Sequence, residues 1–246
     1  MSTVKEIQSV RNACLLLEAV AEHQPLGVSE LARVTGIEKS AAHRLAVTLH
    51  ATAWLGRTND GRWWIAPALV RLARRAGAAL AAELRPRMED LRDETGETVM
   101  LVAIEDARLR VREVVESRHA LRIAAPVGAE LPLIRSSAAR AIAAHLPPDE
   151  LEALRRAHPT LDDDATLARV RKRGFAVNDR EIVSDVRVVG APVLSEDNYP
   201  LGALILCGPT SRISTVRMKH LGEAVARAAR GDRPKSRLRP SSGAIR

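Results

Sequence analysis

The stretch from residue 28 to residue 66 constrains the fold more than any other part of the chain. It runs Val28-Ser29-Glu30-Leu31-Ala32-Arg33-Val34-Thr35-Gly36-Ile37, then Glu38-Lys39-Ser40-Ala41-Ala42-His43-Arg44-Leu45, then Trp54-Leu55-Gly56-Arg57-Thr58-Asn59-Asp60-Gly61-Arg62-Trp63-Trp64-Ile65. Ser29 is suited to cap a first short helix, and Gly36 tolerates the left-handed backbone that ends one. Further on, Ala42, Leu45, Ala46 and Leu49 recur at helical spacing and predict a buried stripe, which turns Ser40, His43, Arg44 and Val47 outward together. Asn59-Asp60-Gly61 between two apolar runs predicts a tight hairpin.

Two short helices around a glycine turn followed by a hairpin form the layout of a winged helix-turn-helix, whose second helix enters a DNA major groove. In that reading Lys39 and Ser40 hold phosphates, His43 and Arg44 reach base edges, and Val47 completes the readable face. Arg57 and Arg62 flank the tip of the wing, where guanidinium groups clamp phosphates or enter a minor groove.

The distribution of charge says more than its total. The formal net charge is +8, yet residues 1–80 and residues 231–246 each carry an excess of +4, and the 23 basic and 23 acidic residues between them cancel. The excess sits on the DNA reader and on the C-terminal tail, where it favours a polyanion. A neutral middle domain is expected to have another task. Aromatics make up only 2% of the chain, so its cores must be built from Ala, Val, Leu and Ile.

Around the reader, Ile7, Val10, Cys14, Leu17 and Val20 step by three and four and predict an amphipathic helix over residues 5–22. Pro67 opens a helix running towards residue 84, read as a linker. A helical stretch over 79–95 ends at Thr95-Gly96, and strands are predicted over 98–104, 109–115 and 121–125, with a turn at Asp106-Ala107-Arg108. Ser136 and Ser137 precede a helix over 138–146, Asp149 caps another to 157, two strands follow over 187–194 and 201–207, and a helix covers 214–229. The last sixteen residues, rich in Arg, Ser, Gly and Pro, read as disordered, with Arg233, Arg237 and Arg239 adding nonspecific attraction for DNA. The expected fold class is therefore α+β: a DNA-binding domain over 1–66, a linker helix over 67–84, a domain over 85–230 with a mostly antiparallel sheet whose open face holds a small molecule, and a tail over 231–246.

With both halves laid out, the chain resembles the IclR-type family of bacterial transcription regulators. The words that carry the resemblance are Ser9-Val10-Arg11, Ser29-Glu30-Leu31-Ala32, Thr35-Gly36 and Lys39-Ser40 with His43-Arg44-Leu45 in the first half. In the second they are Glu94-Thr95-Gly96-Glu97-Thr98-Val99, Leu131-Pro132-Leu133, Gly174-Phe175-Ala176-Val177-Asn178-Asp179-Arg180-Glu181, Ala191-Pro192-Val193 and Gly208-Pro209. The resemblance implies a GAF-like effector domain, a homodimer or dimer of dimers on pseudo-palindromic double-stranded DNA operators, and a small effector, commonly an organic or aromatic acid. Repression is slightly favoured over activation. Carried over by resemblance, the effector positions are Ser136, Ser137 and Ala138, then Asn178 or Asp179, then Val188, Ile205 and Cys207.

Several of these depart from the family pattern. Val188 stands where a Cys or another small residue is usual, Ile205 and Cys207 where serines are common, Ala139-Arg140 in place of a Gly-Lys pair, and Asp185 in place of a glycine. Each exchange at Val188, Ile205 and Cys207 removes a polar or small group, which implies an effector more apolar or larger than a short keto acid. The alternative is that these three side chains simply fill the core. Backbone amides at the helix start near Ser137 and Ala138 keep an acid in view.

Other chemistry has little support. The seven histidines show no metal-ligand spacing, and Asp162-Asp163-Asp164 reads as a helix start rather than a cation site. Ser136-Ser137 lacks a paired base, no glycine loop is built for phosphate, and no cofactor or enzymatic activity is expected. Cys14 and Cys207 show no disulfide or zinc pattern, and no apolar run reaches the roughly 20 residues that span a bilayer, so a soluble, cytoplasmic protein without membrane contact is expected. The competing class is a ligand-sensing or scaffold dimer that works through protein contacts, against which the basic excess on the first domain argues.

Overall fold

A computed structural model of the chain describes residues 6–231. The chain divides between Ala79 and Leu80 into two compact units. In the first, α1 (Gln8–His23), α2 (Val28–Thr35) and α3 (Lys39–Ala51) are followed by a hairpin of β1 (Leu55–Arg57) and β2 (Trp63–Ile65). Leu16, Val20, Leu31, Ala42, Ala46, Leu55 and Trp63 close its core.

The N-cap of α2 is Gly27, not Ser29. The Glu30 carboxylate reaches back to accept the Gly27 amide at 2.7 Å, so the acid three residues into the helix serves the exposed amide that the sequence assigns to a serine. At the other end Gly36 takes φ +70°, as the stop signal requires. In α1 the buried residues are Leu16, Ala19 and Val20, while Ile7 and Val10 are 67% and 58% exposed and Cys14 is exposed too. The predicted stripe is thus buried only at its C-terminal end, where Val20 lies in the core with Leu16 and Ala19 and Leu17 packs against it.

The two helical stretches either side of residue 80 are one helix, α4 (Pro67–Thr95), carrying Pro86 inside it. The second unit is built on a six-stranded antiparallel sheet in the order β5-β4-β3-β8-β7-β6. Its strands are β3 (Thr98–Glu105), β4 (Arg108–Val115), β5 (Glu130–Leu131), β6 (Ala176–Asp179), β7 (Val186–Leu194) and β8 (Pro200–Pro209). Asp106 and Ala107 take positive φ in the β3–β4 turn. Residues 121–125 form no strand: they run without a ladder, although Ile123 accepts a hydrogen bond from the Thr98 hydroxyl at 2.7 Å. The edge position beside β4 is taken by the two residues of β5.

Strand alternation sorts the side chains to two faces. Val99, Leu101, Val189, Leu204 and Leu206 pack with Leu84, Met88 and Leu91 of α4 and with Leu221 and Val225 of α8 (Thr215–Arg230). Met100, Val102, Ala203, Ile205 and Cys207 pack on the opposite side, against which lie α5 (Ser137–Ala143), α6 (Pro148–Ala157) and α7 (Asp164–Arg173). The helices cover only part of this face, and the sheet residues Met100, Val188, Ile205 and Cys207 line a cavity beside the start of α5. The tail arginines Arg233, Arg237 and Arg239 lie outside the described residues.

Candidate functional site

On α3 the burial of Ala42, Ala46 and Leu49 fixes the helix rotation, and Lys39, Ser40, His43, Arg44 and Val47 are all exposed. Five of the residues singled out in the sequence thus share one surface. Its first turn is occupied by a group that sequence reasoning missed. The Glu38 carboxylate caps α3, accepting the amides of Ser40 and Ala41 at 2.9 and 3.1 Å, and it also takes the Ser40 hydroxyl. The hydrogen bond from that hydroxyl and then those from the two amides hold the Glu38 carboxyl below its ordinary value. Ser40 therefore points its donor at its neighbour, and the Lys39 side chain of the same turn is exposed. An acid immediately before a helical stripe was the available signal.

The wing arginines are engaged as well. The Arg57 guanidinium lies 5.1 Å from the centre of the Trp63 ring. Arg62 does not stand free at the tip: its Nη2 meets Glu30 Oε2 at 2.8 Å and its Nε donates to the Pro25 carbonyl at 3.1 Å. It ties the hairpin to α2. The wing also rests on Gly56, where any Cβ would fall 2.1 Å from the Trp64 ring.

In the second unit a cavity of about 170 Å³ opens between the sheet, the start of α5 and residues 182–183. Ser136, Ser137, Asn178, Val188, Ile205 and Cys207 line it, whereas Ala138 and Asp179 do not. Ala138 is wholly buried in the core, and the Asp179 carboxylate accepts from Arg187 at 2.7 Å and Arg180 at 3.1 Å. The guanidinium of Arg187 is the main reason the Asp179 carboxyl lies below its ordinary value.

The polar groups of this cavity are nearly all committed. Ser136 accepts the Ala138 amide as the N-cap of α5, and Asn178 donates to the Arg135 carbonyl at 2.7 Å while accepting the Glu181 amide at 3.3 Å. Burial pushes the Cys207 thiol up to about 12, so it is neutral and packs as an apolar group. Ser137 is the exception: its hydroxyl is buried and has no hydrogen-bond partner among the described residues. The remaining wall is apolar, with Met100, Ile123, Leu131, Ile182 and Val186 on it. Val188, Ile205 and Cys207 thus both pack against the core and face the cavity.

Among the described residues no group of three or more His, Cys, Asp or Glu is placed to hold a metal. Asp163, in the acidic run before α7, accepts the Thr166 amide as that helix's N-cap. Among the same residues no helix is long and apolar enough to cross a membrane.

A helix-turn-helix with an exposed second helix, followed by a separate α/β domain with an apolar cavity, is the layout of a DNA-binding regulator. The family description "Bacterial transcriptional regulator IclR C-terminal" matches residues 76–231, and "IclR helix-turn-helix domain" matches residues 9–58. The chain belongs to the IclR family of transcriptional regulators, whose members are not enzymes. The transcriptional repressor IclR of Escherichia coli is 29% identical over 92% of this chain and 88% of its own length. The regulator BhcR of Paracoccus denitrificans is 27% identical over 91% of this chain and 85% of its own. Among solved structures, an IclR-family regulator from Rhodococcus sp. aligns with a TM-score of 0.55 at 27% identity, covering 93% of this chain and 94% of that one. HmgR of Pseudomonas aeruginosa, at 24% identity and a TM-score of 0.56, covers 92% and 96% and shows the common fold.

Proposed function

We propose that this regulator reads an operator through Lys39, His43, Arg44 and Val47 and responds to a small, largely apolar metabolite held in the cavity beside Ser137. The cavity reading is carried by one observation, the buried Ser137 hydroxyl without a partner. An unmatched buried polar group costs roughly 1–3 kcal/mol, and a ligand with one polar atom relieves that cost while filling the apolar wall. A volume of about 170 Å³ is close to that of an apolar cavity known to hold benzene, roughly 150 Å³. The cavity lining contains no Lys or Arg to neutralise a compact acid. The ligand is therefore a small aromatic or branched aliphatic molecule with a single hydroxyl, carbonyl or weakly acidic group. It acts by binding the DNA-competent and DNA-incompetent arrangements unequally. Two of the relatives are named as repressors, and repression is the mode we assign.

Thermal denaturation of the full chain with a metabolite panel tests the cavity. Phenol- and benzoate-sized compounds should raise the melting temperature, and Ser137→Ala should remove their advantage over the corresponding hydrocarbons. Tightest binding by pyruvate or glyoxylate would overturn the assignment.

A further inference from the structure

A second cleft, of about 410 Å³, lies against α7 and β6 and is lined by Arg140, Arg169 and Arg173. The three arginines are not equivalent. Arg140 is neutralised: its Nε meets Asp162 at 2.9 Å, and its two terminal nitrogens hold both Glu181 oxygens at 2.7 Å. Asp179, the other acid on the cleft wall, is already held by Arg187 and Arg180. Arg169 and Arg173 are left over. Among the described residues neither has a carboxylate within 4 Å.

Both are nevertheless held in place by neutral contacts. The Arg173 guanidinium lies 4.5 Å from the centre of the Phe175 ring and donates through Nε to the Phe175 carbonyl at 2.9 Å. That leaves its two terminal nitrogens without a partner in the described residues. Arg169 is steadied by its Nη2 donating to the Thr166 hydroxyl at 2.8 Å. Burial comes first, and then the like charges of Arg140 and Arg169, in pushing the Arg173 guanidinium below its ordinary value. An arginine keeps its proton under such repulsion, and an anion placed between the two side chains would relieve it. Basic residues in the last turn of α7 also suit the negative end of its dipole, but that asks nothing of the stacking and anchoring that aim these two side chains.

We propose that this cleft is a binding site for a phosphate-bearing small molecule, held as a dianion between the guanidinium groups of Arg169 and Arg173. Asp163 offsets Arg169 only in part and without an ion pair, so the two guanidinium groups leave a positive excess for a phosphate monoester, and their planar forks suit its oxygens. The site is separate from the apolar cavity, so the domain carries two pockets of opposite chemistry.

Calorimetric titration of the full chain with inorganic phosphate, at ionic strength held constant with chloride, tests the proposal. The expected result is saturable binding of one phosphate per chain. Arg169→Gln should weaken it by about tenfold, the size expected for losing one charge-assisted contact. Arg173→Gln should do the same, and its melting temperature without phosphate separates lost binding from lost folding. Arg156→Gln, an exposed α6 residue removed from the cleft lining, changes the net charge equally and should leave binding unchanged. No saturable binding beyond that of chloride, or equal weakening by Arg156→Gln and Arg169→Gln, would overturn the site. Failure of the apolar cavity to bind metabolites would leave this result untouched.

Discussion

Residue by residue, the recognition surface is shaped as much by Glu38 as by the basic side chains beside it. The start of a helix attracts phosphate through its free amides, and here a carboxylate of the chain has filled that place. The Arg44 side chain, exposed one turn further on, is then the main candidate for a base contact. If it grips a guanine in bidentate fashion, Arg44→Ala should cost about 1–3 kcal/mol on that sequence and little on one lacking the guanine. Footprinting against both duplexes checks this, and an unchanged footprint would sink the role. If this helix start lies against the DNA backbone, Glu38→Gln should tighten binding to every sequence, because it removes a negative charge there; binding weakened on all duplexes would refute this. Since the folded-state carboxyl of Glu38 lies below its unfolded value of 4.5, its capping contribution is present above that pH. It is lost as pH falls through the folded value. The stability gap between the wild type and Glu38→Gln should therefore stay constant from neutral pH down to about 4.5 and narrow below it, as melts across that range will show.

At the scale of elements, what the sequence left unread is specific. The apolar stripe on α1 keeps its spacing along the whole helix, and periodicity alone does not say that only its C-terminal end meets the core. Residues 121–125 alternate like a strand, yet the neighbouring edge is claimed by Glu130 and Leu131, a pair too short to leave a pattern. The α3 face was legible because alanines and leucines at helical spacing fix the rotation of a short helix. The cavity was only partly legible: Ser137 and Ile205 could be named, but that Ser137 lacks a partner while Asn178 has two depends on the fold around them. Arg62 shows the same limit, since its partners Glu30 and Pro25 lie 32 and 37 residues away. It joins the hairpin turn to α2, so Arg62→Ala should loosen the hairpin and lower the melting temperature of this unit modestly, in keeping with a part-exposed pair. All three tryptophans lie between residues 54 and 64, so a melt followed by tryptophan fluorescence reports this unit alone. An unchanged melt together with a uniform loss of DNA affinity would instead make Arg62 a direct phosphate contact.

For the whole molecule, the N-terminal end of the α1 stripe, which the core does not use, becomes the informative part. Ile7 and Val10 are more than half exposed, Cys14 lies on the same face, and no described residue of the first unit covers them. Apolar side chains at helical spacing on an exposed face are what a helix needs to pack against a second copy of itself around a two-fold axis. One reader covers one half-site, and specific affinity for a pseudo-palindrome requires two, about one helical turn or a multiple of it apart. If α1 supplies the seam, a charge in its middle should separate the readers without unfolding them, because Val10 is outside the core. Val10→Asp is then expected to leave the tryptophan-monitored melt nearly unchanged, to shift the sedimentation of the full chain towards the monomer, and to lower affinity for the full operator far more than for an isolated half-site. A Val10→Asp chain that still sediments as the wild type and binds the full operator as tightly would place the seam elsewhere.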